Sequence, residues 1–235
     1  SQAFAAGDEF SAPQKLAIEA IIKDYLLKNP EVLMEVQQAL ESRMDEIREK
    51  QLSKALPDNA EFLFRRANAP AVNVDGDVTV VEFFDYNCGY CKRGFGDLAK
   101  LIESDKKVKV VFKEFPIFGK DSEAAAKIAV AAKAQGKYWE VHKALISHEG
   151  KVNEEVGLKL AEGLGLDMAK LKADMGSDAV LNEIKEVRQA AEKLGIQGTP
   201  HFFVGDKVIP GAPEDLFAQL TERVAEIRKN GCKIC

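Results

Sequence analysis

Thr79-Val80-Val81-Glu82-Phe83-Phe84-Asp85-Tyr86-Asn87-Cys88-Gly89-Tyr90-Cys91-Lys92 is the stretch on which the fold turns. Its first seven residues, TVVEFFD, form an apolar run of strand length bounded by turn residues, as a buried central strand requires. Two cysteines follow almost at once, and a helical stretch carries on to about Ser104. Lys107 to Glu114, KVKVVFKE, reads as a second strand. Strand, helix, strand is a parallel, right-handed βαβ unit, with the cysteine pair at the start of its helix.

That position gives the pair its chemistry. Unpaired amides and the macrodipole at a helix N-terminus favour an anion, so a thiol there ionises below its free pKa of about 8.5. Thiolate is the attacking species in disulfide exchange. Cys88 is therefore the expected nucleophile, and Cys91, one helical turn later, the expected resolving thiol. The alternatives are half a zinc site, completed by Cys232-Lys233-Ile234-Cys235, or two inert buried cysteines. A full domain separates the two pairs, and zinc knuckles usually bring their halves close together, so redox chemistry is the stronger expectation.

Thr199-Pro200 follows a helix end at Gly195 and opens a strand, where a proline would otherwise remove a ladder hydrogen bond. A cis bond is tolerable at such a turn and would present the Thr199 backbone to an extended substrate beside the thiol. A plain trans proline at a strand start is the competing reading. Gly89, Tyr90, Thr199 and Pro200 are the expected substrate-contacting positions. Glu82 is an acid in an otherwise apolar strand; buried, its pKa would rise and it would exchange a proton with the resolving thiol. Strand alternation also allows Glu82 to face solvent.

Working outward, residues 120–195 show helical signals only. Helices are expected from Asp121 to Gly136, Lys137 to His148, Asn153 to Leu164, Asp167 to Met175 and Ser177 to Leu194. His201–Val204 and Lys207–Ile209 flank a hairpin turn at Gly205-Asp206, and Pro213 opens a last amphipathic helix. The order βαβ, helical block, ββα is a thioredoxin-type α/β arrangement with an inserted helical domain.

Upstream, residues 1–13 read as a disordered leader, followed by a helix through Ile18, Ile21, Ile22, Tyr25 and Leu26. Asn29 is placed to cap a second helix from Pro30 to about Leu56. Leu33, Leu40, Met44 and Ile47 stand on one seam of that helix, interrupted by Gln37 and Gln51. Such a stripe needs a partner: a hairpin packed on its own domain, or the seams of two or more chains in a self-association stalk. Leu56-Pro57-Asp58-Asn59 marks the expected boundary, which divides the chain into an oligomerisation region at 1–62 and a catalytic domain at 63–235.

Composition sets the outer limits. The chain has 235 residues, 46% hydrophobic and 30% charged, with four cysteines, which excludes collagen-like repeats, a disulfide-dense scaffold and wholesale disorder. A net charge of −5 with scattered basic residues argues against nucleic-acid binding. No apolar run reaches the ~18 residues of a membrane span. A start at Ser1 fits either a cytosolic chain or an exported one whose signal has been removed.

VEFFDYNCGYCK at 81–92, KEFPIFG at 113–119, QGKYWEVH at 135–142 and GTPHFFVG at 198–205 together resemble the DsbA-like thioredoxin-fold family, in particular its ScsC-type oligomeric periplasmic members. The likeness spans roughly residues 65–229, and IIKDYLLKNPEVL at 21–33 also looks like such proteins. The resemblance implies a nucleophile at Cys88, a resolving thiol at Cys91, the acidic residue at Glu82, and the cis-proline with its preceding residue at Pro200 and Thr199. It implies periplasmic residence, unfolded or misbridged protein substrates, a membrane-bound redox partner that recycles the pair, and a dimer or trimer built through the N-terminal helices. Gly89-Tyr90 departs from the Pro-His dipeptide of DsbA proper and, with Thr before Pro, is similar to DsbC-type isomerases, so isomerisation is the expected activity. A dedicated oxidase or reductase and a copper-handling protein are the rivals.

No cofactor beyond the Cys88–Cys91 couple is expected, and no metal site is assigned, Cu(I) binding remaining an open alternative. Cys232 and Cys235 match nothing in the family pattern: a local disulfide, a soft-metal site, an auxiliary dithiol and an inert reduced pair all stand. His142 and His148 are six residues apart, off one helix face, which argues against a metal pair.

Overall fold

The computed structural model describes residues 10–235. Most of the expected leader lies outside the described residues, while Ala12 and Pro13, assigned to it from sequence, are already helical. The chain divides into two units, one up to Lys50 and one from Gln51 to Cys235.

The first unit holds α1 (Ala12–Lys28) and most of α2 (Glu31–Ala60). Ser11 and Gln14 form a reciprocal capping box at the start of α1, satisfying amides that a helix end leaves open. Asn29 departs from expectation. Its side chain donates back to the Tyr25 carbonyl at 2.8 Å and closes α1, in place of capping α2. Apolar side chains of this unit stand in the open: Leu27 and Met34 are 72% and 73% exposed, and Leu33, Leu40, Met44 and Ile47 on the seam are all exposed.

In the second unit a five-stranded sheet runs in the order β1-β3-β2-β4-β5, from β1 (Ala71–Val72), β2 (Val78–Phe84), β3 (Val108–Glu114), β4 (His201–Val204) and β5 (Lys207–Pro210). β2 and β3 are parallel and joined by α3 (Gly89–Ser104), while the other pairs are antiparallel. The inserted block is α4 (Lys120–Ala132), α5 (Tyr138–Ile146), α6 (Glu154–Gly163), α7 (Met168–Met175) and α8 (Asp178–Leu194), and α9 (Leu216–Asn230) closes the fold. Asn153, Asp167 and Ser177 cap α6, α7 and α8 by accepting the amides of Val156, Lys170 and Val180.

Alternation along β2 supplies two cores. Val78, Val80 and Phe84 point to one face, with Cys88, Cys91, α3, α9 and the insertion. Val81 and Phe83 point to the other, covered by Val187, Ala191 and Leu194 of α8 and by Leu56, Ala60, Leu63 and Phe64. That second cover moves the boundary expected after residue 62. The sheet needs a lid on its far face, and the end of α2 provides it, so the compact unit begins at Gln51. Pro57, read as a terminator, lies inside α2, which runs on to Ala60 and into a π-turn at Glu61–Arg65. A proline inside a helix forfeits one backbone bond and costs about 3 kcal/mol; burial of Leu56, Ala60, Leu63 and Phe64 offsets it. Lys113 fastens the π-turn to the sheet, its Nζ donating to the Phe62 carbonyl at 2.6 Å and lying 3.7 Å from the Phe62 ring centre.

Candidate active site

β2 ends at Phe84, three residues form the turn, and Cys88 becomes the N-cap of α3. The amide of Cys91 donates to Cys88 Sγ at 3.4 Å, so the sulfur fills the place that a serine or aspartate oxygen takes at an ordinary cap. Cys88 Sγ also lies 3.3 Å from the Thr199 carbonyl, which accepts the thiol proton. Thr199-Pro200 is a cis peptide and stands immediately before β4, the strand paired with β2. Cys88, Cys91, Thr199 and Pro200 thus meet at one end of the sheet, and both cysteines are free and buried. Tyr90, between them, is 59% exposed, its ring under the Arg93 guanidinium.

The two sulfurs are pushed apart in acidity. The Cys91 thiol hydrogen-bonds to Cys88 and brings the Cys88 pKa down to about 6 against the cost of burial, with help from the Thr199 hydroxyl and the amides of Cys91 and Tyr90. Burial, and donation to Cys88, push Cys91 far above the ordinary thiol range. One sulfur is a thiolate at neutral pH while its mate keeps the proton.

Glu82 is buried, 3% exposed, so of the two orientations open to it the inward one is realised. Its pairing residues are Phe112 and Phe202. Alternation aims it to the face that holds both cysteines. Burial, and then the negative Cys88 sulfur, raise its pKa to about 8. Folded Glu82 therefore holds its proton more tightly than the unfolded chain does, and the stability it contributes falls as pH rises from about 4.5 through 8. Urea denaturation of the reduced protein at pH 5 and pH 9 is expected to show wild type losing several kcal/mol relative to Glu82→Gln on going to the higher pH. The same change with pH in both proteins would mean that the carboxyl is not held neutral.

The sequence did not single out Asp85 and Asn87, which shape the rim. Asp85 is buried; its Oδ1 accepts from the Asn87 amide (2.7 Å) and Ser122 hydroxyl (2.7 Å), and its Oδ2 from the Ile117 and Phe118 amides (2.8 and 3.1 Å). Asn87 holds the loop before α6 through both the Val152 amide and carbonyl. Lys92 donates to the carbonyls of His148 and Gly150 at 2.6 Å each. The turn that carries Cys88 is thereby tied to the 115–119 loop and to the insertion. Ile117 and Phe118 are left exposed there. The available signal was the run Asp-Tyr-Asn before the cysteine, residues that bond to nearby backbone.

Behind the site, Glu114 accepts from Tyr86 and Tyr138 at 2.9 Å, and Tyr86 also meets His142 Nδ1 at 3.1 Å. Burial holds Glu114 well above the carboxylate range and lowers His142 to about 3, so this cluster is neutral. His142 is a core residue. Among the described residues, no three His, Cys, Asp or Glu side chains gather as a metal site would require.

A thioredoxin fold that sets an ionised cysteine at a helix N-cap, beside the residue preceding a cis-proline, defines a thiol–disulfide oxidoreductase of the DsbA/ScsC type. Residues 79–222 match the DSBA-like thioredoxin domain and residues 14–45 the copper resistance protein ScsC N-terminal domain, and the chain belongs to the DsbA-like thioredoxin-domain family. A thioredoxin-like oxidoreductase from Silicibacter pomeroyi DSS-3 is 44% identical, with a TM-score of 0.69, covering 73% of this chain and 98% of its own. A linker-deletion mutant of Proteus mirabilis ScsC is 26% identical, with a TM-score of 0.70, covering 95% of this chain and 99% of its own. Disulfide bond formation protein D of Bacillus subtilis is 30% identical over 57% of this chain and 66% of its own length. Several curated relatives are Na(+)/H(+) antiporters NhaA, such as NhaA 3 of Salinispora tropica at 30% identity over 57% of this chain; the match spans only 21% of that protein's own length. No helix among the described residues is long and apolar enough to cross a membrane.

Proposed function

We propose that the protein is a disulfide isomerase for misbridged secreted proteins, working in an oxidising compartment such as the periplasm as a homo-oligomer. Cys88 thiolate attacks a wrong disulfide, forming a mixed disulfide and releasing a substrate thiolate. That thiolate attacks another substrate disulfide, and a later exchange frees Cys88; alternatively Cys91 attacks Cys88 Sγ and leaves the substrate reduced. Attack by Cys91 requires removal of its proton, and Glu82, once ionised, is the acceptor on the same face of the sheet. Deprotonating Cys88 also breaks its bond to the Thr199 carbonyl, freeing that oxygen for a substrate amide.

The observation that carries this reading is the source of the Cys88 acidity. It comes from the Cys91 thiol, the Thr199 hydroxyl and backbone amides, and the intervening Gly89-Tyr90 contributes no cation. A thiolate held this way is available for attack yet leaves a moderately oxidising couple, as an enzyme that must stay reduced and let go requires. In an oxidising compartment such a pair needs electrons from across the membrane, hence a membrane-bound reductant as recycling partner. The Cys232–Cys235 disulfide supports that compartment. The exposed apolar rows of α1 and α2 support self-association, as dimer or trimer.

Scrambled ribonuclease refolding, run beside oxidation of a reduced peptide, tests the direction. Recovery of ribonuclease activity faster than peptide oxidation is expected. Rapid peptide oxidation without rescue of the scrambled substrate would make the protein an oxidase. A copper role is favoured by the match at residues 14–45 to an N-terminal domain of a copper resistance protein. That stretch holds no cysteine or histidine, and its soft donors are the thioethers of Met34 and Met44, so a thiolate ligand for Cu(I) would have to come from elsewhere, such as Cys88. Copper retention abolished by Cys88→Ser would support this second reading; retention unaffected by it would remove Cys88 as a ligand.

A further inference from the structure

Cys232 and Cys235 take no part in the site described above, and they are paired in a disulfide with two residues between them. We infer that this pair is a second redox-active centre, exchanging with thiolates outside the chain and working independently of Cys88 in the same molecule.

A structural staple ties distant segments and draws its effect from the length of the loop it closes. This bond closes a loop of four residues at the end of the chain. The tail is held without it. Gly231, at φ 76°, turns the chain after α9; Arg65 Nη1 donates to the Ile234 carbonyl at 2.7 Å; and the Ile234 side chain packs against the second core. Anchoring by Ile234 leaves Cys235 exposed and Cys232 half-buried against the β4–β5 turn, where a Cβ on Gly205 would stand 3.2 Å from Cys232 Sγ. Exposed disulfides are the readily reduced ones.

One contact of the active site recurs in the pair. The Cys235 amide donates to Cys232 Sγ at 3.1 Å, as the Cys91 amide does to Cys88 Sγ at 3.4 Å. This sets a polarity. An incoming thiolate reaches the exposed Cys235 Sγ, forms a mixed disulfide there, and breaks the bond to Cys232, which leaves as a thiolate supported by that amide. A second donor thiolate then attacks the donor's sulfur in the mixed disulfide and releases Cys235. Two donor thiols become one disulfide, two electrons enter the pair, and the departing protons settle on Cys232 and Cys235.

Exchange with Cys88 of the same chain is excluded by distance. Thr199, at Cys88, precedes β4, and Gly205, at Cys232, follows it. Six residue steps along an extended strand span roughly 20 Å. The electron donor is therefore an external thiol, small or carried by another protein.

The test uses the full chain with Cys88→Ser and Cys91→Ser, so that the C-terminal pair is the remaining couple. One arm equilibrates it with glutathione redox buffers; the other mixes it with a reduced Cys232→Ser/Cys235→Ser variant as a protein dithiol donor. Acid quenching, alkylation and peptide mass spectrometry follow the sulfurs. Reversible reduction in either arm is expected, with the trapped adduct on Cys235 and an unchanged unfolding midpoint; the faster arm identifies the donor. A pair that stays oxidised in both arms, an adduct confined to Cys232, or a large fall in the unfolding midpoint on reduction would overturn the inference.

Discussion

Alkylation of the reduced protein is expected to quicken with pH along a curve centred near pH 6, and Cys88→Ser is expected to abolish both that curve and disulfide exchange on protein substrates. At pH 7 a pKa of about 6 leaves Cys88 about nine-tenths ionised, where a free thiol is ionised to only a few per cent. The Cys91 thiol is the largest contributor, so Cys91→Ala should move the midpoint upward while Cys88 keeps its place at the N-cap. Linkage gives a second readout. The folded pKa lies below the ordinary thiol value of 9.0, so the stability contributed by the thiolate is present above pH 9 and is lost as pH falls through 6. Glu82 runs the opposite way, losing stability as pH rises from about 4.5 through 8. Taken together, the two groups leave reduced wild type least stabilised between about pH 6 and 8, where their opposite slopes cancel, and Cys88→Ser should remove the recovery towards pH 9 while leaving the fall from about pH 4.5 in place. Iodoacetamide rates and urea midpoints from pH 4 to 9 check both statements; a midpoint near that of a free cysteine would remove the basis for a thiolate nucleophile.

The parts of this site legible in the sequence are those fixed locally. A buried strand running into a helix places Cys88 at a cap whatever surrounds it, and the caps at Asn153, Asp167 and Ser177 set the insertion's helices nearly to the residue. What was not legible depends on distant partners. β2 is buried on both faces, so alternation alone does not tell whether Glu82 points inward; the α3 and α9 side had to be in place. Pro57 reads as a stop until Leu56, Ala60, Leu63 and Phe64 are seen to cover the sheet. Asn29 is a good cap by type, yet its side chain serves the preceding helix. The tie from Asp85 to Ile117, Phe118 and Ser122 crosses more than thirty residues of chain, and only the fold brings those groups together.

Removing residues 1–50 is expected to leave Cys88 alkylation and insulin reduction within about twofold per site, while scrambled ribonuclease refolding falls at least roughly tenfold. The catalytic unit carries both of its cores and the whole Cys88 environment after Gln51, so truncation takes nothing from the chemistry. The removed segment carries Leu16, Ile21, Leu27, Leu33, Met34 and Leu40, all exposed, on helices that bury no side chain before Leu56 among the described residues. Rows of that kind cost free energy in water unless another surface covers them, and seams of further copies supply one of the same length and pattern. Gathering several Cys88 sites onto one particle raises the local concentration of thiolate around a captured substrate, which assists repeated attack on wrong disulfides and is irrelevant to a single reductive encounter. Light scattering should accordingly show the full chain as an oligomer and the truncated chain as a monomer. A monomeric full chain, or a truncated chain that refolds ribonuclease at the full rate, would separate isomerisation from assembly and assign the exposed rows another role.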